Sequence, residues 1–358
     1  MHRKGEIMNR LTRIIIRGYK SLKDTDLTIG DKSILIGENG AGKSNLLAVF
    51  NMLKAIKEYE LQAYVNREGG MNAILYNGRK QTEECYIDIY REKYRFYGRI
   101  RPDNADTCFF AQQGIYDYRE QHNIYAADGF RELKDGGEAR KLRVFDDIGV
   151  YHFHDTSVTS LMKTNCDVND NIELAEDGRN IAAVLLRIKQ NNVETYDYIV
   201  QTIRLAAPYF KDFVLRSNPY NNDMIRLEWL KRECEKPFGA EHLSDGTLRF
   251  ICIVTLLCLP EEMRKDVVCI DEPELGLHPA AIVIVSELMK KYAQERQIIV
   301  ATQSVDIVDA FCPEDIVVVD NIDGQSQFKR QNEEELKEWL EDYTMSELWK
   351  KNIIGGRP

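Results

Sequence analysis

The chain has 358 residues, is 44% hydrophobic and 30% charged, and carries a formal net charge of −10 with a pI near 5.3. That composition fits a globular protein with a large core and room for two lobes, and it excludes a globally basic nucleic-acid binder while leaving space for a local basic patch. No apolar run approaches the ~18 residues of a membrane span, and the opening MHRKGEIMNR lacks the apolar stretch of a secretory signal, so no membrane association and a cytoplasmic location are expected. Met8 is a second candidate start, which would make residues 1–7 a short leader.

Residues 11–17 (LTRIIIR) are β-branched and read as a first strand; after the turn GYKS, residues 22–29 alternate toward a second. Residues 33–36 read as a buried third strand. It runs into Gly37-Glu38-Asn39-Gly40-Ala41-Gly42-Lys43-Ser44, a full G-x-x-x-x-G-K-S phosphate loop. Residues 44–58 then read as a helix, with Leu47, Phe50, Met52, Leu53 and Ile56 near helical spacing. Each residue type has a mechanical reason. The glycines let successive backbone N–H groups converge on phosphate oxygens, and the helix offers its positive end to an anion. Lys43 can reach the β- and γ-phosphates, and the Ser44 hydroxyl can complete a magnesium shell. Strand before and helix after make this a nucleoside-triphosphate site.

From about residue 69 the character changes. Residues 85–90 and 94–100 read as paired strands, residues 102–147 are polar and weakly periodic, and residues 145–152 return as a strand. The basic, aromatic stretch REKYRFYGRIR (91–101) alternates as the solvated face of a hairpin does, and this reading outweighs a nucleic-acid patch. Helices are expected over 181–190 and 196–206, and short strands over 213–216 and 224–229. No repeat period and no heptad run long enough for a coiled-coil arm is present. Eight scattered cysteines without C-x-x-C spacing read as free thiols, mostly buried.

In the last third, residues 248–259 read as an apolar helix and 267–270 as a buried strand ending in Asp271 and Glu272. Opposite a phosphate loop, Asp271 can orient Mg²⁺ and Glu272 can polarise an attacking water. Further elements are expected over 280–294 (helix), 297–302 and 316–319 (strands) and 333–350 (one or two surface helices). LSDGT (243–247) stands at a loop-to-helix junction and reads either as a second anion site or as an N-cap by Ser244 or Asp245. His152, Phe153, His154 and Asp155 put two imidazoles on one strand face without the further ligands a metal centre needs, so buried or interlobe hydrogen bonding is expected. His278, before Pro279, also reads as structural.

GENGAGKSN, LSDGT, VVCIDEPELGLHP and IIVATQS, in that order, resemble the head of an ABC-type ATPase of the RecF/SMC clade, and in particular the bacterial RecF-like "AAA family" ATPases of phage-defence operons. IIIRGYKSLKD, YHFHDTS and ELWKKNIIGGRP resemble the same family, so the likeness spans nearly the whole chain. It implies an α/β P-loop NTPase fold with a mixed-sheet core, an inserted second lobe and no long coiled coil. The implied division is an ATPase core over 1–84 and 240–330, a lobe over 85–239 and a helical tail over 331–358. The resemblance assigns Gly37, Asn39, Gly40, Gly42, Lys43, Ser44 and Asn45 to ATP, Ser44 and Asp271 to Mg²⁺, and Glu272 to the general base. It assigns Ser244 and Gly246 to the γ-phosphate held by a second protomer, residues 274–279 to a D-loop crossing the dimer interface, and Gln303 to the switch position. Gln81 is the candidate for the magnesium-contacting glutamine of such heads. The chain departs from the ABC pattern in reading LSDGT for LSGGQ and Gln303 for histidine; glutamine can hydrogen-bond a γ-phosphate but cannot carry a proton.

The implied activity is that of an ATP-driven dimerising switch, the ATPase component of an anti-phage complex, working as a homodimer or larger with an effector such as a nuclease and with DNA as a further candidate partner. The alternatives are a nucleotide-sensing scaffold with little hydrolysis and a RecF-like repair ATPase. A transporter ATPase is weaker, because the roughly 200 residues between Ser44 and Ser244 exceed what such a subunit needs.

Overall fold

The computed structural model describes residues 10–129, 148–218 and 220–357. The expected leader and the expected strand start at 145–147 lie outside them. β1 (Leu11–Tyr19) and β2 (Leu22–Thr28) form a hairpin; β3 (Lys32–Ile36) leads into α1 (Lys43–Lys57), followed by α2 (Leu61–Arg67) and α3 (Met71–Ile74). A meander follows: β4 (Cys85–Arg91), β5 (Tyr94–Pro102), β6 (Cys108–Asp117) and β7 (His122–Ala127). After β8 (Ile148–Tyr151) and β9 (Cys166–Asp167) come α4 (Ile181–Asn191) and α5 (Val193–Ala206). The short strands β10 (Phe210–Val214), β11 (Ser217–Asn218), β12 (Asn221–Ile225), β13 (Glu228–Lys231) and β14 (Phe238–Gly239) succeed them. The chain then runs through α6 (Asp245–Leu257), β15 (Val267–Asp271), α7 (Pro279–Tyr292), β16 (Gln297–Ala301) and α8 (Val305–Asp309). It closes with β17 (Ile316–Ile322), β18 (Gln325–Arg330), α9 (Glu333–Leu340) and α10 (Met345–Lys350).

Two six-stranded sheets carry the architecture. The central one has the order β18-β17-β3-β16-β15-β8 and is parallel except for the β17–β18 hairpin. Its strands are apolar runs because both faces are covered. Val268 and Ile270 face a core built with α4 to α7, whereas Val267 and Cys269 face a second core built on α1. The other sheet, β2-β1-β4-β5-β6-β7, is antiparallel and lays Ile14, Ile16, Ile87 and Ile89 against the α1 side. A clasp joins the sheets: buried Gln297 accepts from Leu11 N–H at 2.7 Å and donates to Leu11 O at 2.8 Å and Gly30 O at 3.1 Å.

The outer face of the antiparallel sheet carries the basic, aromatic stretch. Its arginines are paired: Arg95 to Asp88 at 2.6 Å, Arg101 to Glu84 at 2.8 Å, Arg17 to Asp24 at 2.8 Å. It is a charge-balanced surface. β6 and β7 are strands where only polar, weakly periodic sequence was visible; register shifts between Arg99 and Ile100 and between Ile115 and Tyr116 break the alternation. The single strand expected over 224–229 is two, because the chain leaves the β11-β12-β9 sheet at Ile225 and joins the β10-β13-β14 sheet at Glu228. Residues 85–239 do not form one block. β4 pairs directly with β1 across the expected 84/85 boundary, β8 completes the central sheet beside β15, and β9 to β14 form two small three-stranded sheets, while α4 and α5 pack into the core on one face of the central sheet. All eight cysteines are free, and Cys85, Cys108, Cys252, Cys258 and Cys269 are buried. Among the described residues no helix is long and apolar enough to cross a membrane.

Candidate active site

Because β3, β16 and β15 are parallel and in register, Leu35, Ala301 and Asp271 form one row at the carboxyl edge of the central sheet. The chain leaves β3 into residues 37–42 and enters α1 at Lys43. The loop is shaped by the β17–β18 hairpin behind it. A Cβ on Gly42 (φ 115°) would stand 2.0 Å from Ser326 Oγ, and one on Gly37 (φ 153°) would stand 2.2 Å from Val319 O. Ser326 Oγ donates to Ala41 O at 2.6 Å, and Asn321 Nδ2 to Gly40 O at 3.3 Å. Gly40 itself has open space where a Cβ would be. The Asn45 amide, expected at the nucleotide, donates instead to Ser21 Oγ at 2.7 Å and braces the loop against the β1–β2 turn.

Lys43 lies along the inside of the loop, 6% exposed, its Nζ donating to Gly37 O at 2.6 Å and Glu38 O at 3.1 Å. Burial lowers its pKa, and the carboxylates of Glu272, Asp271, Glu274 and Glu38 oppose that shift. Ser44 Oγ donates to Asp271 Oδ2 at 3.3 Å, so a hydroxyl and a carboxylate from opposite ends of the chain meet. A hard divalent cation prefers such oxygen donors, and the pair fits Mg²⁺.

Glu272 has φ 45°, a left-handed conformation that a non-glycine residue holds only where its surroundings enforce it. The enforcing contacts are visible: its N–H donates to Ala301 O at 2.8 Å, and its Oε1 accepts from Gln303 Nε2 at 3.0 Å. The same Nε2 donates to Asn39 Oδ1 at 2.7 Å, while Gln303 N–H donates to Glu274 Oε1 at 2.8 Å. Burial raises the pKa of Glu274, opposed by that backbone bond. Gln303 therefore ties Asn39 of the phosphate loop to Glu272 and Glu274.

The LSDGT segment does what an N-cap does. Ser244 Oγ accepts from Thr247 N–H at 3.2 Å, and Tyr209 OH lies 3.0 Å from Thr247 Oγ1. Gly246 has a reason within its own chain, since a Cβ there would stand 2.1 Å from Gly276 O. His278 caps α7, accepting from Ala280 N–H at 3.3 Å. Residues 274–279 thus pack between Gln303 and α6.

The residues that sequence reasoning under-read are His152, His154 and Arg249. His154 Nε2 donates to Asp271 O at 3.0 Å, and His152 Nδ1 lies 3.8 Å from Asp271 Oδ2. Burial raises the Asp271 pKa, and the two imidazoles pull it back; burial lowers that of His152. Arg249 on α6 donates to Phe153 O, His154 O, Thr156 Oγ1 and Leu275 O, pinning this loop to the helix after LSDGT. The HxHD spacing was the available signal, and the parallel pairing of β8 with β15 supplies the rest. Gln81, the candidate for the magnesium contact, sits instead in a turn, its N–H on Gly78 O at 3.1 Å and its side chain lining a cavity with Arg17, Tyr86 and Arg101. Among the described residues no cluster of three or more His, Cys, Asp or Glu side chains could hold a metal.

A phosphate loop on β3, a pair of acids at the end of β15 and a glutamine after β16, set on this mixed sheet, define a P-loop NTPase fold. The family model described as "AAA domain, putative AbiEii toxin, Type IV TA system" matches residues 32–309, and the chain belongs to that family. Among curated proteins no sequence matches. Solved structures with the same fold include an SMC head bound to the C-terminal winged-helix domain of ScpA, with TM-score 0.58, 15% identity, and 91% of this chain and 99% of that chain covered. Another is an SMC head with an extended coiled coil bound to the C-terminal domain of ScpA derived from Pyrococcus furiosus, with TM-score 0.54, 14% identity, and 94% and 99% covered. No coiled coil occurs among this chain's described residues, whose longest helix, α1, has 15.

Proposed function

We propose that this chain binds Mg-ATP at the loop of residues 37–44 and hydrolyses it as a homodimeric, or larger, switch. The observation that carries this reading is Gln303 Nε2 bridging Asn39 Oδ1 and Glu272 Oε1 beside the Ser44–Asp271 contact, which brings three distant segments to one sheet edge. The backbone of Gly37, Asn39, Gly40 and Gly42 cradles the phosphates, and Lys43 carries the charge facing the β/γ oxygens. Ser44 and Asp271 would hold Mg²⁺, which would neutralise charge on the phosphates. Glu272 takes the proton of the attacking water, and Gln303 orients both. Ser244, at the exposed start of α6, meets the γ-phosphate bound by a second protomer, so ATP joins two heads and hydrolysis parts them.

A defence role as the ATPase of a complex with an effector such as a nuclease is supported by the phage-defence resemblance and by the toxin–antitoxin wording of the family description. The SMC heads seen with ScpA domains support a protein partner. DNA is a candidate ligand of the complex, although the outer face of the antiparallel sheet is charge-balanced. A cytoplasmic location belongs to the same proposal. Phosphate release by the wild type and by Glu272→Gln tests the chemistry. Turnover in the wild type with loss in the variant is expected. A wild type that binds ATP without turnover would favour a nucleotide-sensing scaffold, and a variant at wild-type rate would remove Glu272 as base.

A further inference from the structure

The segment ELWKKNIIGGRP has no part in the chemistry above, yet it touches the phosphate loop. α10 opens with a capping box, Thr344 to Glu347, and Ser346 fixes it to α8 by donating from N–H and Oγ to Asp309 at 2.8 and 2.7 Å. Trp349 is fully buried, and its Nε1 donates to Gly356 O. Gly356 N–H donates to Asp320 Oδ1 at 2.8 Å. Asp320 follows Val319, the residue whose carbonyl oxygen crowds Gly37. Gly356 has φ +67°. A Cβ on it would stand 2.6 Å from Val318 Cγ1, 3.5 Å from Gly37 Cα and 3.5 Å from Ile36 O. Backbone therefore packs on backbone where β3 becomes the loop, and neither glycine has room for a side chain.

We infer that the Gly355–Gly356 turn, held by Trp349 and Asp320, is a positioning element that sets the nucleotide affinity of the phosphate loop. This rests on the reading of residues 37–44 as the nucleotide site. The path of influence is short. Gly356 backs Gly37, and Gly37 O is the 2.6 Å acceptor of Lys43 Nζ. If the turn leaves, Gly37 keeps the Val319 wall on one side and loses the wall on the other. The lysine and the first phosphate-facing N–H groups then sample more than one arrangement. Binding geometry held only to within about 0.5 Å by its supporting residues is sensitive to such loosening. Asp320, Trp349 and Gly356 act through the loop and touch no substrate.

The test compares Asp320→Ala, Asp320→Asn, Gly356→Ala and, as a control on the tail surface away from the loop, Trp339→Ala. Affinities for ADP and Mg-ATP are measured by calorimetry, alongside steady-state KM and kcat and the nucleotide-free melting midpoint. Asp320→Ala and Gly356→Ala should weaken both nucleotides about three- to tenfold, the loss of one hydrogen bond's worth of positioning. KM should rise, and kcat at saturating ATP should stay within about twofold. Asp320→Asn, whose amide oxygen still accepts from Gly356 N–H, should restore affinity, and Trp339→Ala should leave it unchanged. Wild-type affinity in both Asp320→Ala and Gly356→Ala would overturn the inference. So would affinity losses that merely follow the melting midpoint, Trp339→Ala included. A wild type that binds neither nucleotide is a different result; it overturns the nucleotide-site reading and this inference with it.

Discussion

Arg249→Met tests whether the loop carrying His152 and His154 is held in place from α6. The change keeps an unbranched stem and removes the guanidinium. Four hydrogen bonds go: to Phe153 O at 3.1 Å, His154 O at 2.8 Å, Thr156 Oγ1 at 3.2 Å and Leu275 O at 3.2 Å. The bond to Leu275 is exposed, and water replaces it at little cost. The three partly buried bonds, at about 0.5–1.5 kcal/mol each, sum to roughly 2–4 kcal/mol. With some packing retained by the methionine, the melting midpoint of a chain this long should fall by about 3–5 °C. The functional effect follows from geometry. Phe153 and His154 lose their anchor, the imidazoles loosen against Asp271, and hydrolysis should drop at least about tenfold, or roughly 1.4 kcal/mol in barrier. No atom of the phosphate loop is touched, so ADP affinity should move less than about twofold. Thermal melting, phosphate release and ADP titration on one preparation decide it. Wild-type melting together with wild-type turnover would refute the reasoning, and a loss of ADP affinity in proportion to turnover would show a global effect instead of a local one.

Three further outcomes are expected. Lys43→Ala should weaken ATP about 10- to 100-fold, the worth of a charge-assisted hydrogen bond, with little change in melting, since Nζ bonds only two loop carbonyls in the structure; unchanged affinity by calorimetry would contradict the assignment. Gln303→Leu should lower kcat about 10- to 100-fold and ATP affinity less than about threefold, because it frees Glu272 and removes only the Asn39 side-chain tie from a loop still braced by Ser326 and Asn321; a change confined to KM would make Gln303 a binding residue. Gly246→Ala should destabilise the nucleotide-free chain by about 1–3 kcal/mol in urea unfolding, because the new methyl meets Gly276 O; wild-type stability with only ATP-dependent association lost would assign Gly246 wholly to the partner's nucleotide.

The parts of the site legible in sequence were those written in consecutive residues. SILIGENGAGKS and VVCIDEPELG each contain a strand, a turn and a chemical group within a dozen positions, and the parallel sheet only had to bring them together. The apolar runs of β15 and β16 and the helical spacing of α1 were legible for the same reason. What sequence did not disclose depends on pairing over long separations. His154 bonds a residue 117 positions away, Gln303 one 264 positions away, and Ser326 one 285 positions away. Asn45, assigned to the nucleotide by resemblance, turns its amide to Ser21. β6 and β7 hid because bulges shift the alternation that marks a strand. The β1–β4 ladder crosses the boundary expected at 84/85, with Ile14 opposite Ile89 and Ile16 opposite Ile87.

The most direct test of the central claim is the solution mass of the wild type and Glu272→Gln, each with and without Mg-ATP. The account predicts a Glu272→Gln dimer, or a larger species, that forms or is stabilised only with Mg-ATP, and a wild type whose association fades as ATP is consumed. A mass that stays the same in all four samples, with ATP bound, would contradict an ATP-driven dimerising switch.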